Sequence, residues 1–104
     1  MTIIELQQKR VGVLGFGQEG QAVLKYLQKY NVAAQIYDLL PLVDWSVQKT
    51  EIISQYQLTP HTGEDYIAAA SSQCDLLFKS PGVLIKPEQQ VDHNVFDESF
   101  SKPT

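Results

Sequence analysis

A chain of 104 residues with a net charge of −4 and scattered rather than clustered Lys and Arg does not suit nucleic acid, which needs concentrated positive charge. At 43% hydrophobic residues it can bury the core of one small domain, yet no run approaches the ~20 apolar residues of a membrane span. The single cysteine, Cys74, excludes an internal disulfide, and Met1–Gln8 lacks the basic-then-apolar plan of a secretion signal, so a cytoplasmic location is the expectation.

Val11–Leu14 is a short apolar run, the pattern of a parallel strand covered on both faces. From Gln18 to about Tyr30, the apolar residues Val23, Tyr26, Leu27 and Tyr30 recur at helical spacing. Lys25, Gln28 and Lys29 then face outward, and Asn31 is a stop signal. Ala33–Tyr37 reads as a second strand ending at Asp38, and Pro41 breaks the chain. Asp44 is a candidate cap for a helix carrying Trp45, Ile52, Ile53 and Tyr56 on one side, Trp45 reading as a core or domain-interface residue. Gln57–His61 is the candidate third strand. Thr62 and Asp65 have the spacing of a capping box ahead of Tyr66, Ile67 and Ala70, with Glu64 and Asp65 as first-turn acids. Asp75–Lys79 reads as a fourth strand, followed by Ser80-Pro81-Gly82.

This alternation specifies an α/β domain over residues 1–90. Its expected architecture is three-layer and Rossmann-like, with a parallel sheet of four to five strands and right-handed crossovers. The polar, acidic stretch 91–104 reads as a tail, or as the start of a missing fifth strand.

The chemistry concentrates in Gly15-Phe16-Gly17-Gln18-Glu19-Gly20, a Gly-x-Gly-x-x-Gly turn between a strand and a helix. Gly15 permits a tight turn, Gly17 lets backbone approach phosphates, and Gly20 lets the helix pack closely. The helix N-terminus supplies N–H groups and a positive dipole end for a pyrophosphate. A purely structural glycine turn is the alternative. Asp38 ends the second strand, near the ~20-residue spacing of an acid that grips a ribose or base, and it also reads as a plain turn residue. In an open parallel sheet the ligand crevice lies where strand order reverses, which here is between the first and fourth strands. The Gly15–Gly20 and Ser80–Gly82 turns are therefore expected to face each other. His61, His93 and Cys74 have no metal-ligand spacing, and no Cys/His arrangement supports a nucleophile. Lys79 reads equally as an exposed strand end or a phosphate neighbour.

Taken together, Gly15-Phe16-Gly17-x-x-Gly20-x-Ala22, the strand ending in Asp38, and Asp75-Leu76-Leu77-Phe78-Lys79-Ser80-Pro81-Gly82-Val83 resemble the N-terminal domain of the Mur ligases of peptidoglycan synthesis. The likeness spans roughly residues 9–88 and is nearest to the branch that adds D-glutamate to UDP-N-acetylmuramoyl-L-alanine. It implies that this domain binds the UDP part of that substrate. Backbone at Gln18 and Glu19 would meet the pyrophosphate, Asp38 would contact the uridine, and Ser80, Pro81 and Gly82 would close the other wall. Gly15, Phe16, Gly17, Gly20 and Leu39 complete the implied site. ATP and Mg would be bound by the family's central domain, which with the C-terminal domain is not represented here, so these residues alone are expected to be non-catalytic and to need no cofactor. Glu19 departs from the Ser or Thr frequent in the family, and a carboxylate there repels phosphate unless it points away. Leu39 and Leu40 offer no polar side chain to a base. Outside the resemblance, the same turn and Asp38 suit an NAD(H)-binding regulatory domain, or a ligand-free interaction domain.

Overall fold

The computed structural model describes residues 2–80, Val83 and the backbone of Asn94–Asp97. Apolar runs form the strands β1 (Val11–Leu14), β2 (Ala34–Asp38), a two-residue β3 (His61–Thr62), β4 (Leu76–Lys79) and β5 (Asn94–Asp97). All pair in parallel, in the order β3-β2-β1-β4-β5. The domain thus has the expected three-layer, Rossmann-like α/β class, and β5 falls within the stretch read as a tail or the start of a missing strand. Strand order reverses between β1 and β4, so the switch point lies where their C-terminal ends meet, at Leu14 and Lys79.

Alternation along the strands builds two cores. Val11, Val13, Ala34, Ile36 and Leu76 face α1 (Ile3–Gln7), α2 (Gln18–Lys29) and α3 (Val47–Gln55). Leu14, Tyr37 and Leu77 face α4 (Tyr66–Gln73) on the other side. α1 carries no periodicity long enough to read from sequence. It is nucleated by Thr2, whose Oγ1 accepts the Glu5 N–H at 3.1 Å, and it buries Leu6.

Several element boundaries differ from the expectations, each for a local reason. The buried stripe of α2 is Gly20, Leu24 and Leu27, with Val23 at its margin. Tyr26 and Tyr30 lie outside it and meet in a tilted ring pair, with centroids 4.9 Å apart and planes at 55°. Asp44 does not cap a helix. It ends the 3-10 turn Leu42–Asp44, and Ser46 caps α3 by accepting the Lys49 N–H. Gln57 does not open a strand but takes φ +56°, and the Leu58 N–H reaches back to the Ile53 carbonyl at 2.9 Å. Gln57 N–H bonds Ser54, completing a Schellman stop. Asn31, at φ +59°, ends α2 the same way, as its residue type suggests. Thr62 lies in β3 rather than in a capping box. Glu64 and Asp65 precede α4, and Asp65 pairs with His61 at 3.0 Å.

At the N-terminal end of the sheet, Arg10 clamps β1 to β4 by donating its main-chain N–H and guanidinium to Asp75. These bonds hold the Asp75 carboxyl down to about 2. On the α4 face, the fully buried Tyr37 ring passes over Gly12, and its hydroxyl donates to Gln73 at 2.7 Å. A Cβ at Gly12 would stand 2.8 Å from both Cys74 Sγ and Leu77 Cδ2. Gly12→Ala is therefore expected to destabilise the domain by about 1–3 kcal/mol in chemical denaturation. An unchanged midpoint would show that this layer yields without strain.

Candidate functional site

The turn between β1 and α2 is shaped by two glycines that the fold itself requires. Gly15 takes φ +85°, where L side chains are strained, and its N–H donates to the Tyr37 carbonyl at 2.7 Å. Gly20 brings α2 so close that a Cβ there would collide with the Gly15 carbonyl oxygen. Gly17 is different. Its φ of −76° is ordinary, and a Cβ there meets nothing among the described residues within 4 Å.

Gly17 is also the N-cap of α2, with no side-chain cap hydrogen bond. The first N–H groups of a helix have no intrahelical partner. The first turn of α2, with Gln18 exposed and Glu19 half-buried, therefore presents donors and the positive dipole end at the switch point. This is the position at which the glycine spacing leads one to expect a pyrophosphate.

Asp38 stands at the end of β2, and its carboxylate is engaged with backbone. Oδ2 accepts the Phe16 N–H at 2.8 Å and Oδ1 accepts the Leu40 N–H at 3.0 Å. Two of its roughly four acceptor positions thus serve the turn. Replacing it by Ala would leave the Phe16 donor unsatisfied, at about 1–3 kcal/mol. Phe16, expected at the ligand, has its ring fully buried against Trp45, with centroids 5.5 Å apart and planes at 19°. Trp45 is accordingly a core residue. Leu39 and Leu40 are exposed beyond Asp38, with Leu42 and Val43 continuing the apolar surface.

On the β4 side, Ser80 is buried and touches the turn directly. Its N–H donates to the Leu14 carbonyl at 3.1 Å and its Oγ to the Gly15 carbonyl at 3.4 Å. The two turns are in contact at this point rather than separated by a gap, so the Ser80 hydroxyl serves the joint. Val83 packs on the same glycine, 2.8 Å from where its Cβ would stand. Pro81 and Gly82 lie outside the described residues, as does His93. Lys79 is half-buried, and its Nζ donates to the Ser80 carbonyl at 3.3 Å.

Other titrating groups are structural in placement. Burial pushes the Cys74 thiol up, and burial followed by the Asp38 charge pushes up the Tyr66 hydroxyl. The hydrogen bond from His61 lowers Asp65. No group of three His, Cys, Asp or Glu suited to a metal ion occurs among the described residues, and no described helix is long and apolar enough to cross a membrane. Two shallow clefts lie away from the glycine turn. One of about 360 Å³ is bordered by Lys9, Arg10, Gln73 and Cys74, and another of about 200 Å³ by Ile36, Thr59, Pro60 and His61. Comparison with protein-family models and with curated proteins returns no match.

The contrast among the glycines is directly measurable. Gly20→Ala is expected to unfold the domain or to lower its stability by at least ~2 kcal/mol, because backbone has to move. Gly17→Ala is expected to cost within about 1 kcal/mol, the scale of a cap substitution. Equal losses in thermal denaturation would remove the distinction.

Proposed function

We propose that this domain binds a nucleoside diphosphate group at the β1–α2 turn, as the UDP-binding module of a Mur-ligase-like enzyme. The observation that carries the reading is the uncapped N-terminus of α2 beneath Gly17, the one glycine of the turn whose lack of a side chain the described packing does not require. A diphosphate laid over Gly17 would accept from the N–H groups of Gln18 and Glu19 and sit at the positive end of the helix dipole. The remaining acceptor positions of Asp38 would take a nucleoside hydroxyl or ring N–H. The ligand proposed is UDP-N-acetylmuramoyl-L-alanine, and the location proposed is the cytoplasm, where such a precursor would be assembled.

In the enzyme proposed, ATP activates the substrate carboxylate as an acyl phosphate, which the amine of D-glutamate then attacks. That chemistry belongs to other domains. The contribution of these residues is to anchor the distant UDP end, so that binding energy far from the reacting carboxylate orients it. The Mur-ligase assignment rests on the strand-Lys79-Ser80-Pro81-Gly82-Val83 pattern, which a general dinucleotide site has no need of.

Calorimetric titration with UDP-N-acetylmuramoyl-L-alanine, UDP and NAD separates the readings. Heat with both uridine ligands is expected, and Gly17→Ala should weaken it by about tenfold while the fold persists. Binding of NAD alone would make this a dinucleotide-sensing domain, and binding of none would leave an interaction domain.

A further inference from the structure

The glycine turn is held from below by four contacts that close on themselves. Phe16 donates its N–H to Asp38 at 2.8 Å, and the same carboxylate accepts the Leu40 N–H at 3.0 Å. The Leu40 carbonyl accepts the Trp45 indole N–H at 2.9 Å, and the indole stacks on the Phe16 ring. Trp45 is itself fixed by the 3-10 turn before it, its N–H donating to Leu42 at 3.0 Å. The circuit joins the glycine turn to the segment Asp38–Trp45, which runs from the end of β2 to the approach to α3.

Phe16 lies between Gly15, in the left-handed region, and Gly17, where the described residues leave room for a side chain. Two glycines around one residue give the backbone several accessible conformations. A fixed Phe16 favours the one seen here, which leads into the first turn of α2. The stack contributes beyond area burial and offsets part of the entropy of fixing one residue. From this geometry we propose that Trp45 is a positioning residue for the ligand site. It acts through Phe16, keeping the Gly17–Glu19 backbone in its binding-competent arrangement while itself touching no ligand.

This inference rests on the reading of the turn as a diphosphate site, and its consequence is quantitative. A ligand that binds only the competent conformation has an apparent Kd raised in inverse proportion to that population. Loss of the indole should therefore weaken binding without removing any ligand contact. It should also free the Phe16 amide, which can be observed with no ligand present.

Two measurements on Trp45→Leu and Trp45→Phe test the proposal, with Ile67→Val, buried on the opposite face, as the control for general destabilisation. The first is amide hydrogen exchange at Phe16, and the second is the UDP affinity. Trp45→Leu is expected to speed Phe16 exchange at least tenfold relative to Val13, and to weaken UDP about tenfold. Trp45→Phe keeps an aromatic partner and should restore both to within about threefold. The control should change neither. Should Trp45→Leu fail to fold, Phe16→Leu breaks the same stack from the other side and carries the same expectations. Unchanged Phe16 exchange would overturn the brace whatever binds, and faster exchange with undiminished UDP affinity would overturn its role toward the ligand. If the wild-type domain does not bind UDP at all, the functional reading fails and the role of Trp45 toward a ligand fails with it, while the exchange data still decide the brace.

Discussion

The C-terminal edge of the sheet depends on how closely α2 approaches the turn that precedes it. With hydrogen in place of a side chain at Gly20, the first turn of the helix rests on the Gly15 carbonyl. That carbonyl also accepts from the Ser80 hydroxyl, so one oxygen joins the end of β1, the start of α2 and the end of β4. Gly15 in turn donates to Tyr37 in β2, bringing the neighbouring strand into the same joint. A bulkier residue at Gly20 would lift the helix away and displace its first-turn N–H groups from the end of β1.

Around this joint side chains brace the backbone, and Asp38 is the clearest case. Its position at the end of β2 is that of a ligand-gripping acid, yet half of its acceptor capacity holds Phe16 and Leu40. The carboxylate is thus first of all a brace for the turn. Ser80 has less left to offer: buried and bonded to Gly15, it shapes the floor of the site.

Much of this was legible in the chain because the relevant signals are local. Val11–Leu14 and Asp75–Lys79 are apolar runs bounded by turn residues, and the glycine spacing states where a helix must come close to a strand. What escaped depended on tertiary contacts. Gln57 adopts a left-handed conformation that its residue type does not announce, because the Leu58 N–H finds the Ile53 carbonyl once α3 has packed. Tyr26 and Tyr30 follow the helical period but fall on the outer flank, since the inner stripe is set by Gly20 and runs through Leu24. Nothing in the sequence marks Gly12 beyond its place in a strand. Only the assembled layer shows Tyr37, Cys74 and Leu77 converging on the place its side chain would occupy. The circuit through Trp45 was equally hidden, as it joins residues that no sequence period relates.

The central claim is that the first turn of α2 receives a diphosphate. The most direct measurement is titration of the ¹⁵N-labelled domain with UDP, followed residue by residue through backbone amide shifts. The account predicts the largest saturable shifts at Gly17, Gln18 and Glu19, with smaller ones at Asp38 and Leu39 and none along the clefts beside Gln73. Shifts centred on those clefts, or none at the glycine turn at millimolar UDP, would contradict it.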